Sequence, residues 1–307
     1  MSAVLWGLDG VALTPRLYRL PVPLVVLLLH AVPFLIMLPF LHRRLRVLAA
    51  MGRRGWAALL LVSLTGGLIG TLAVVRALFL VDFDGLSVVV LLQKLQPLFA
   101  IALASLLLRE PLSARFLLWS SVAVGGAYLL AFGLRVPNLH GGAATAAAAG
   151  YATVAAAAFG AATVFGKQLV GSLDFASATF GRFGVTAVLA LAYALATGGG
   201  LSLGQVTDTE WLLIVVISLT TGSGALFIYY LGLGRVRASV AAICELCLPL
   251  SAMLFDYLIN RSVLGPWQWV GAAVLIGAIL RITTSQQREC GEAGDGRRSR
   301  PAGPTGN

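Results

Sequence analysis

The chain has 307 residues, 59% of them hydrophobic and 11% charged, and a formal net charge of +10; its mean hydropathy is +0.91. A soluble domain carries about 25% charged residues, so this composition excludes a water-soluble globule and points to an integral membrane protein. In such a chain the positive balance fits cationic loops at one membrane face better than nucleic-acid binding.

A membrane-spanning helix needs about 20 apolar residues, and such runs recur along the chain. Ser2 to Leu20 is a poor first span: it is short, carries Asp9, and meets Pro15 early. It lacks the basic start of a signal peptide, so it reads as a first helix that is short, or cut off by a late start at Met1. Pro21 to Leu41 is the second helix. The loop after it carries Arg43, Arg44, Arg46, Arg53 and Arg54, the strongest orientation signal in the chain, which places that loop in the cytoplasm. Trp56 to about Val81 is the third helix, with Arg76 inside it, and Asp82 and Asp84 form a short outer turn. Leu86 to Leu108 is the fourth and Phe116 to Leu134 the fifth, joined by an inner loop from Arg109 to Arg115.

A Pro/Gly linker over 135–142 then divides the chain into a first repeat (1–134) and a second (143–283). Ala143 to about Gly166 is the sixth helix, Phe175 to Thr197 the seventh, Trp211 to Leu233 the eighth, Ala238 to Ile259 the ninth and Pro266 to Ile282 the tenth. The polar Gly/Pro/Arg-rich tail, 284–307, reads as disordered and cytoplasmic. In this alternation the inner loops hold Arg43, Arg44, Arg46, Arg53, Arg54, Arg109, Arg115, Lys167, Arg235 and Arg237, against Arg16, Arg19, Arg135 and Arg261 outside. The bias places both termini in the cytoplasm, in a multi-pass protein of the cell membrane.

The halves repeat one another. GLSVVVLLQKLQPLFAIALASLLLREPL, starting at Gly85, lies without a gap over RASVAAICELCLPLSAMLFDYLINRSVL, starting at Arg237. Ser87 falls on Ser239, Pro97 on Pro249, Ala100 on Ala252, Arg109 on Arg261 and Leu112 on Leu264, and in the next run Gly125 falls on Gly277. Trp6-Gly7 falls on Phe159-Gly160. With an odd number of helices per half, the repeats insert upside-down relative to each other, a common build of secondary transporters, with the substrate site near the midplane.

These paired helix–turn–helix copies, with the opening Trp6-Gly7 and Phe159-Gly160, resemble the drug/metabolite transporter superfamily, specifically the EamA-type ten-helix permeases. The resemblance runs from Trp6 to about Ile282 and implies an all-α integral membrane fold of about ten transmembrane helices in two inverted five-helix repeats. The chain departs from the pattern in places. Many relatives have an acidic residue before the helix-four proline, where this chain has Gln96 and, in the second copy, Leu248. Many have Gly-Glu in the turn that follows, here Arg109-Glu110 and Arg261-Ser262.

An ionisable group inside a span costs about 2.5–3.5 kcal/mol at a helix centre and marks a functional candidate. The candidates are Asp9, Arg76, Lys94, Arg182, Glu245 and Asp256. Glu245 stands one turn before Pro249, and its repeat mate Gln93 one turn before Pro97. Each proline releases a backbone carbonyl four residues back, so each half is expected to set a freed carbonyl beside a polar side chain. Gln93 and Gln96 share a helix face. Gln93, Lys94, Gln96, Glu245 and Arg76 are therefore the expected substrate-binding set, with Glu245 or Asp9 as the proton-coupling carboxylate, because a carboxylate away from water binds a proton more readily. Matching depths suggest the groups Arg76/Lys94/Asp256 and Arg182/Glu245, and Arg182 and Asp256 read as members of structural ion pairs.

The functional expectation is a secondary transporter, an exporter of small polar metabolites such as amino acids, working by alternating access and coupled to protons. Its partners are a small-molecule substrate and the lipid bilayer, with a homodimer left open and no nucleic acid. No cofactor or metal is called for: Cys244 and Cys247 lie in an apolar helix as packing residues, and His30, His42 and His140 are scattered near helix ends. The glycines Gly66, Gly67, Gly70, Gly181 and Gly184 read as close helix contacts, not phosphate cradles. A membrane-embedded enzyme would need a catalytic cluster that the sequence lacks. A non-transporting scaffold or receptor subunit is the alternative, and the inverted symmetry speaks against it.

Overall fold

A computed structural model describes the backbone of residues 1–17, 19–80, 86–135, 142–198, 201–261, 263 and 265–298. The expected Asp82/Asp84 turn, most of the linker with His140, and Ser262 lie outside the described residues. The described backbone is helical, without strands. Nine helices in it are long and apolar enough to cross a membrane. They are α2 (Val22–Leu41), α3 (Arg53–Leu80), α4 (Val89–Leu107), α5 (Ala114–Phe132), α6 (Ala143–Val170), α7 (Phe175–Ala196), α8 (Asp208–Leu233), α9 (Ala238–Asn260) and α10, whose apolar part is Pro266–Ser285. Before them, α1 (Ser2–Leu8) continues through a π-turn, Asp9–Leu13, and a 3₁₀ turn, Thr14–Leu17. It is the short first helix of the set.

The helical backbone of α10 runs on to Arg298, past Thr284, where composition suggested disorder. The stretch Gln286-Gln287-Arg288 is polar but made of good helix formers; Gly291, Gly294 and Gly296 oppose a helix, and nothing in the sequence accounts for its continuation past them.

Polar contacts fix which loops share a face. Arg44 Nη1 donates to Asp174 Oδ2 at 2.8 Å, tying the α2–α3 connection to the α6–α7 turn. Lys167 Nζ donates to the Leu233 and Gly234 carbonyls, tying the end of α6 to the α8–α9 turn. The Glu110 carboxylate accepts from the Ala238 and Ser239 N–H groups and from Ser239 Oγ, so the α4–α5 loop caps the start of α9. At the opposite end Arg19 pairs with Glu210 at 2.9 Å, and Gln268 donates to the Leu130 carbonyl. The connections after α2, α4, α6 and α8 therefore gather on one face, the face that carries the arginine-rich loop.

The repeat is visible in the packing. A Cβ on Gly7 of α1 would stand 2.7 Å from Ala252 N and from Ser251 Cβ of α9. A Cβ on Gly160 of α6 would stand 2.9 Å from Ala100 N and 3.0 Å from Phe99 Cβ of α4. Gly7 is the mate of Gly160, Ala252 of Ala100 and Ser251 of Phe99, so each half sends its first helix against the fourth helix of the other half through one equivalent crossing. α5 and α10, the last helix of each half, meet the same way, Gly126 against Leu275 N at 2.8 Å and Gly271 against the Leu130 backbone. Arg109 and Arg261, mates in the repeat, both take a left-handed backbone, at φ 53° and 55°. The sequence-level glycine contacts are present: Gly67 meets Thr186, Gly70 meets Phe159, Gly181 meets Leu48 and Gly184 meets Phe34.

Candidate functional site

Both fourth helices break where the sequence places a proline. α4 is interrupted between Gln93 and Gln96, and α9 between Cys244 and Cys247, with Pro97 and Pro249 in the first turn of the second pieces. A proline cannot donate to the preceding turn, and inside a membrane such a break is tolerated where it lines a cavity. The third helix of each half is also irregular, with π-turns at Ser63–Ile69 and Ser218–Gly222, and π-turns recur at functional sites. These irregular segments surround one cavity of about 490 Å³, walled by α1, α2, α3, α4, α6, α7, α8 and α9. That volume lies within the roughly 300–1,000 Å³ of sites for drug-sized ligands.

Glu245 anchors the wall. Its Oε2 accepts from Gln96 Nε2 at 2.7 Å, and its Oε1 accepts from Tyr229 Oη at 2.6 Å and Thr163 Oγ1 at 2.9 Å. Gln96 belongs to the first half and Glu245 to the second, so the first of these bonds crosses between the repeats. Asp9 makes a second crossing: it accepts from Thr14 at 2.9 Å and from Thr221 of α8 at 3.0 Å. Trp6 stands beside Tyr229, ring centroids 5.3 Å apart, and Tyr229 lies 5.7 Å from Tyr230. Arg182 donates to Tyr230 Oη at 3.1 Å and sits over that ring at 5.8 Å. Gly66 leaves it room, since a Cβ there would stand 2.8 Å from Arg182 Nη2.

Of the residues singled out in the sequence, Asp9, Gln93, Lys94, Gln96, Arg182 and Glu245 line this cavity. Arg76 and Asp256 do not. Arg76 is exposed on the outside of α3, and Asp256 accepts from Asn260 one turn along its own helix. Among the described residues the ion pairs are Arg19–Glu210 and Arg44–Asp174. The structural pairs expected of Arg182 and Asp256 are therefore not formed, and Glu245 is satisfied by an amide and two hydroxyls in place of a guanidinium. Equal height along the membrane normal does not set the direction in which a helix face points. The expected freed carbonyl at Glu245 is also absent, because the Leu248 N–H donates to it at 2.8 Å across the break.

Sequence reasoning missed Thr163 and Tyr229 as partners of Glu245. It used Trp6 and Phe159 only as marks of the repeat, whereas both line the cavity. His30, expected near a helix end, lies in the middle of α2; its Nδ1 is 2.7 Å from the Val26 carbonyl and its ring 5.6 Å from Phe183. A polar or aromatic side chain well inside an apolar run was the available signal for all of these.

Comparison with known proteins agrees with this architecture. The EamA-like transporter family matches residues 1–132 and 147–284, one copy on each half. The riboflavin transporter ImpX of Fusobacterium nucleatum subsp. nucleatum is 43% identical over 284 residues, covering 92% of this chain and 95% of its own. A solved crystal structure at 16% identity superposes with a TM-score of 0.75 over 94% of this chain and 96% of its own, a likeness of fold alone.

Proposed function

This chain belongs to the EamA-like transporter family, and from that premise we propose that it carries riboflavin, or a closely similar flavin, across the membrane through the cavity around Glu245. The observation that carries the proposal is the make-up of the wall. Trp6, Phe159, Phe183 and Tyr229 offer aromatic surface to a flat ring system, while Gln93, Gln96, Arg182 and Glu245 offer donors and acceptors for its heteroatom edges and polyol chain. Planar aromatic ligands gain from offset stacking on such rings. Support also comes from the relative named a riboflavin transporter. Amino acids are the less supported cargo, because Arg76, half of the anion site that they would use, faces away from the cavity.

The proposed mechanism is alternating access, with the two halves rocking about the equivalent crossings at Gly7 and Gly160. Proton coupling would act through Glu245 and Asp9. Each carboxylate accepts a hydrogen bond from the opposite half. Protonation would weaken that bond and loosen one half from the other, linking proton uptake to rocking. Positive charge on the face that holds Arg43 to Arg54 orients that face to the cytoplasm.

Titration of the purified protein with riboflavin, followed by quenching of flavin fluorescence, tests the cargo. Saturable quenching that a mixture of amino acids leaves unchanged supports a flavin site. Displacement by amino acids, or quenching no greater than with unfolded protein, would remove it.

A further inference from the structure

We propose that the connection between α2 and α3 is a docking site for anionic phospholipid headgroups. After Leu41 the chain forms a short helix, Arg44–Ala49, before α3 starts at Arg53. Two contacts hold this helix against the bundle. Leu48 is buried below Gly181, where a Cβ on the glycine would meet Leu48 Cδ2 at 3.1 Å. The Arg44 guanidinium is drawn to Asp174 at 2.8 Å and Ser177 at 3.4 Å. The remaining cations of the connection, Arg43, Arg46, Arg53 and Arg54, are exposed, and among the described residues their side chains take no hydrogen bond or ion pair.

These arginines stand beside exposed apolar side chains, and the connection differs from the α4–α5 loop, where Arg109 and Arg115 also adjoin exposed leucines, in carrying apolar residues and cations together on one short helix. Phe40 is 80% exposed, Leu45 45% and Val47 41%. A segment projecting into water would leave those side chains hydrated. A segment lying in the headgroup layer places them among acyl chains and the guanidinium groups at phosphate depth, the arrangement of an interfacial helix. Trp56, 37% exposed at the start of α3, completes the pattern as an aromatic at the interface. The guanidinium fork matches phosphate oxygens. The corresponding connection of the second half, from Thr197 to Thr207, carries no Lys or Arg, so the site belongs to one membrane face and one repeat. A soluble polyanion would find the cations but gain nothing from Phe40, Leu45 and Val47, which is why lipid is the occupant.

The test is native mass spectrometry of the full chain purified in detergent with equal parts of phosphatidylglycerol and phosphatidylcholine, comparing R46Q and R53Q with wild type. Each is a single change, so the other cations still direct insertion. Juxtamembrane cations gain about fivefold each towards anionic lipid. The wild-type chain should therefore retain phosphatidylglycerol over phosphatidylcholine, and each variant should lower that preference about fivefold. R46K should retain it. R235Q, on the α8–α9 turn of the same face, should change it less than twofold. Equal losses in R46Q and R235Q would mean a diffuse field and overturn the site, as would a wild-type chain with no preference. Displacement of the lipid by soluble heparin at comparable charge would also overturn it.

Discussion

Replacing Gly160 by alanine puts a methyl group where α6 crosses α4. The new Cβ would lie 2.9 Å from Gln96 O and Ala100 N and 3.0 Å from Phe99 Cβ. Ordinary contact begins at 3.4 Å, so the helices must part by roughly 0.5 Å, and two of these three atoms are backbone that cannot rotate aside. Overpacking of this kind costs about 1–3 kcal/mol. Gly150 is the internal control: it lies nearly three turns earlier on the same helix, with nothing within 4 Å of its would-be Cβ. Alanine there should add about 0.4–1 kcal/mol through the unfolded state. The two substitutions are chemically identical, yet their midpoints should separate by several degrees, since 1 kcal/mol shifts a domain of 150–250 residues by about 2–4 °C. The assay is thermal unfolding of both variants in one detergent at one scan rate. A Gly160→Ala protein as stable as Gly150→Ala would refute the close crossing, and with it the inter-repeat packing built on it. Gly7→Ala should behave like Gly160→Ala, because its Cβ would meet Ala252 N at 2.7 Å.

Three further outcomes follow from the geometry. Tyr229→Phe removes the 2.6 Å hydrogen bond that aims Glu245 but keeps the ring beside Trp6; hydrogen bonds to charged groups contribute about 1.5–3 kcal/mol, so the thermal midpoint should fall by about 3–12 °C and half-saturation by riboflavin should rise, and an unchanged midpoint would contradict the bond. Arg109→Gly should leave the protein as stable or more so, by up to about 1 kcal/mol, because a side chain at φ 53° costs about 1–2 kcal/mol that glycine avoids, less glycine's own entropy; a clear loss in thermal midpoint would contradict it. Asp174 caps α7, accepting from the Ala176 and Ser177 N–H groups. Burial alone would raise its carboxyl, but hydrogen bonds from Ser177, with Arg44 and the Ala176 N–H, outweigh this and hold it below the usual carboxylate range. A depressed carboxyl adds stability that is complete above its unfolded value, near 4, and is lost as pH falls through the folded one. Asp174→Ala should therefore cost about 0.5–2 kcal/mol at neutral pH, and the gap to wild type should close below about pH 4.

The fold was legible because it is written in composition and repetition. Apolar runs of bilayer length define the helices, and the gapless overlay of the stretches beginning at Gly85 and Arg237 defines the halves. The cavity was legible in part for the same reason: a proline in each fourth helix marks where the backbone opens, and Gln93, Lys94, Gln96 and Glu245 stand beside those breaks. What one dimension could not supply was azimuth. The sequence sets Arg76 and Lys94 at similar depth, yet one faces outward and the other lines the cavity. Thr163 and Tyr229 come from the sixth and eighth helices, and only the packing of α6 and α8 around α9 brings their hydroxyls to Glu245. Continuation of α10 to Arg298 was not legible, because the glycines at 291, 294 and 296 argue against a helix there.

The most direct test of the account is flux of riboflavin in proteoliposomes of the wild-type chain and Glu245→Gln, with and without an imposed pH step. The account predicts saturable wild-type flux above that of empty liposomes, accelerated by the step, and a variant in which the acceleration is gone. Riboflavin movement no faster than in empty liposomes, from protein whose folding is verified, would contradict the flavin reading. Flux in Glu245→Gln that keeps its full response to pH would contradict the role given to that carboxylate.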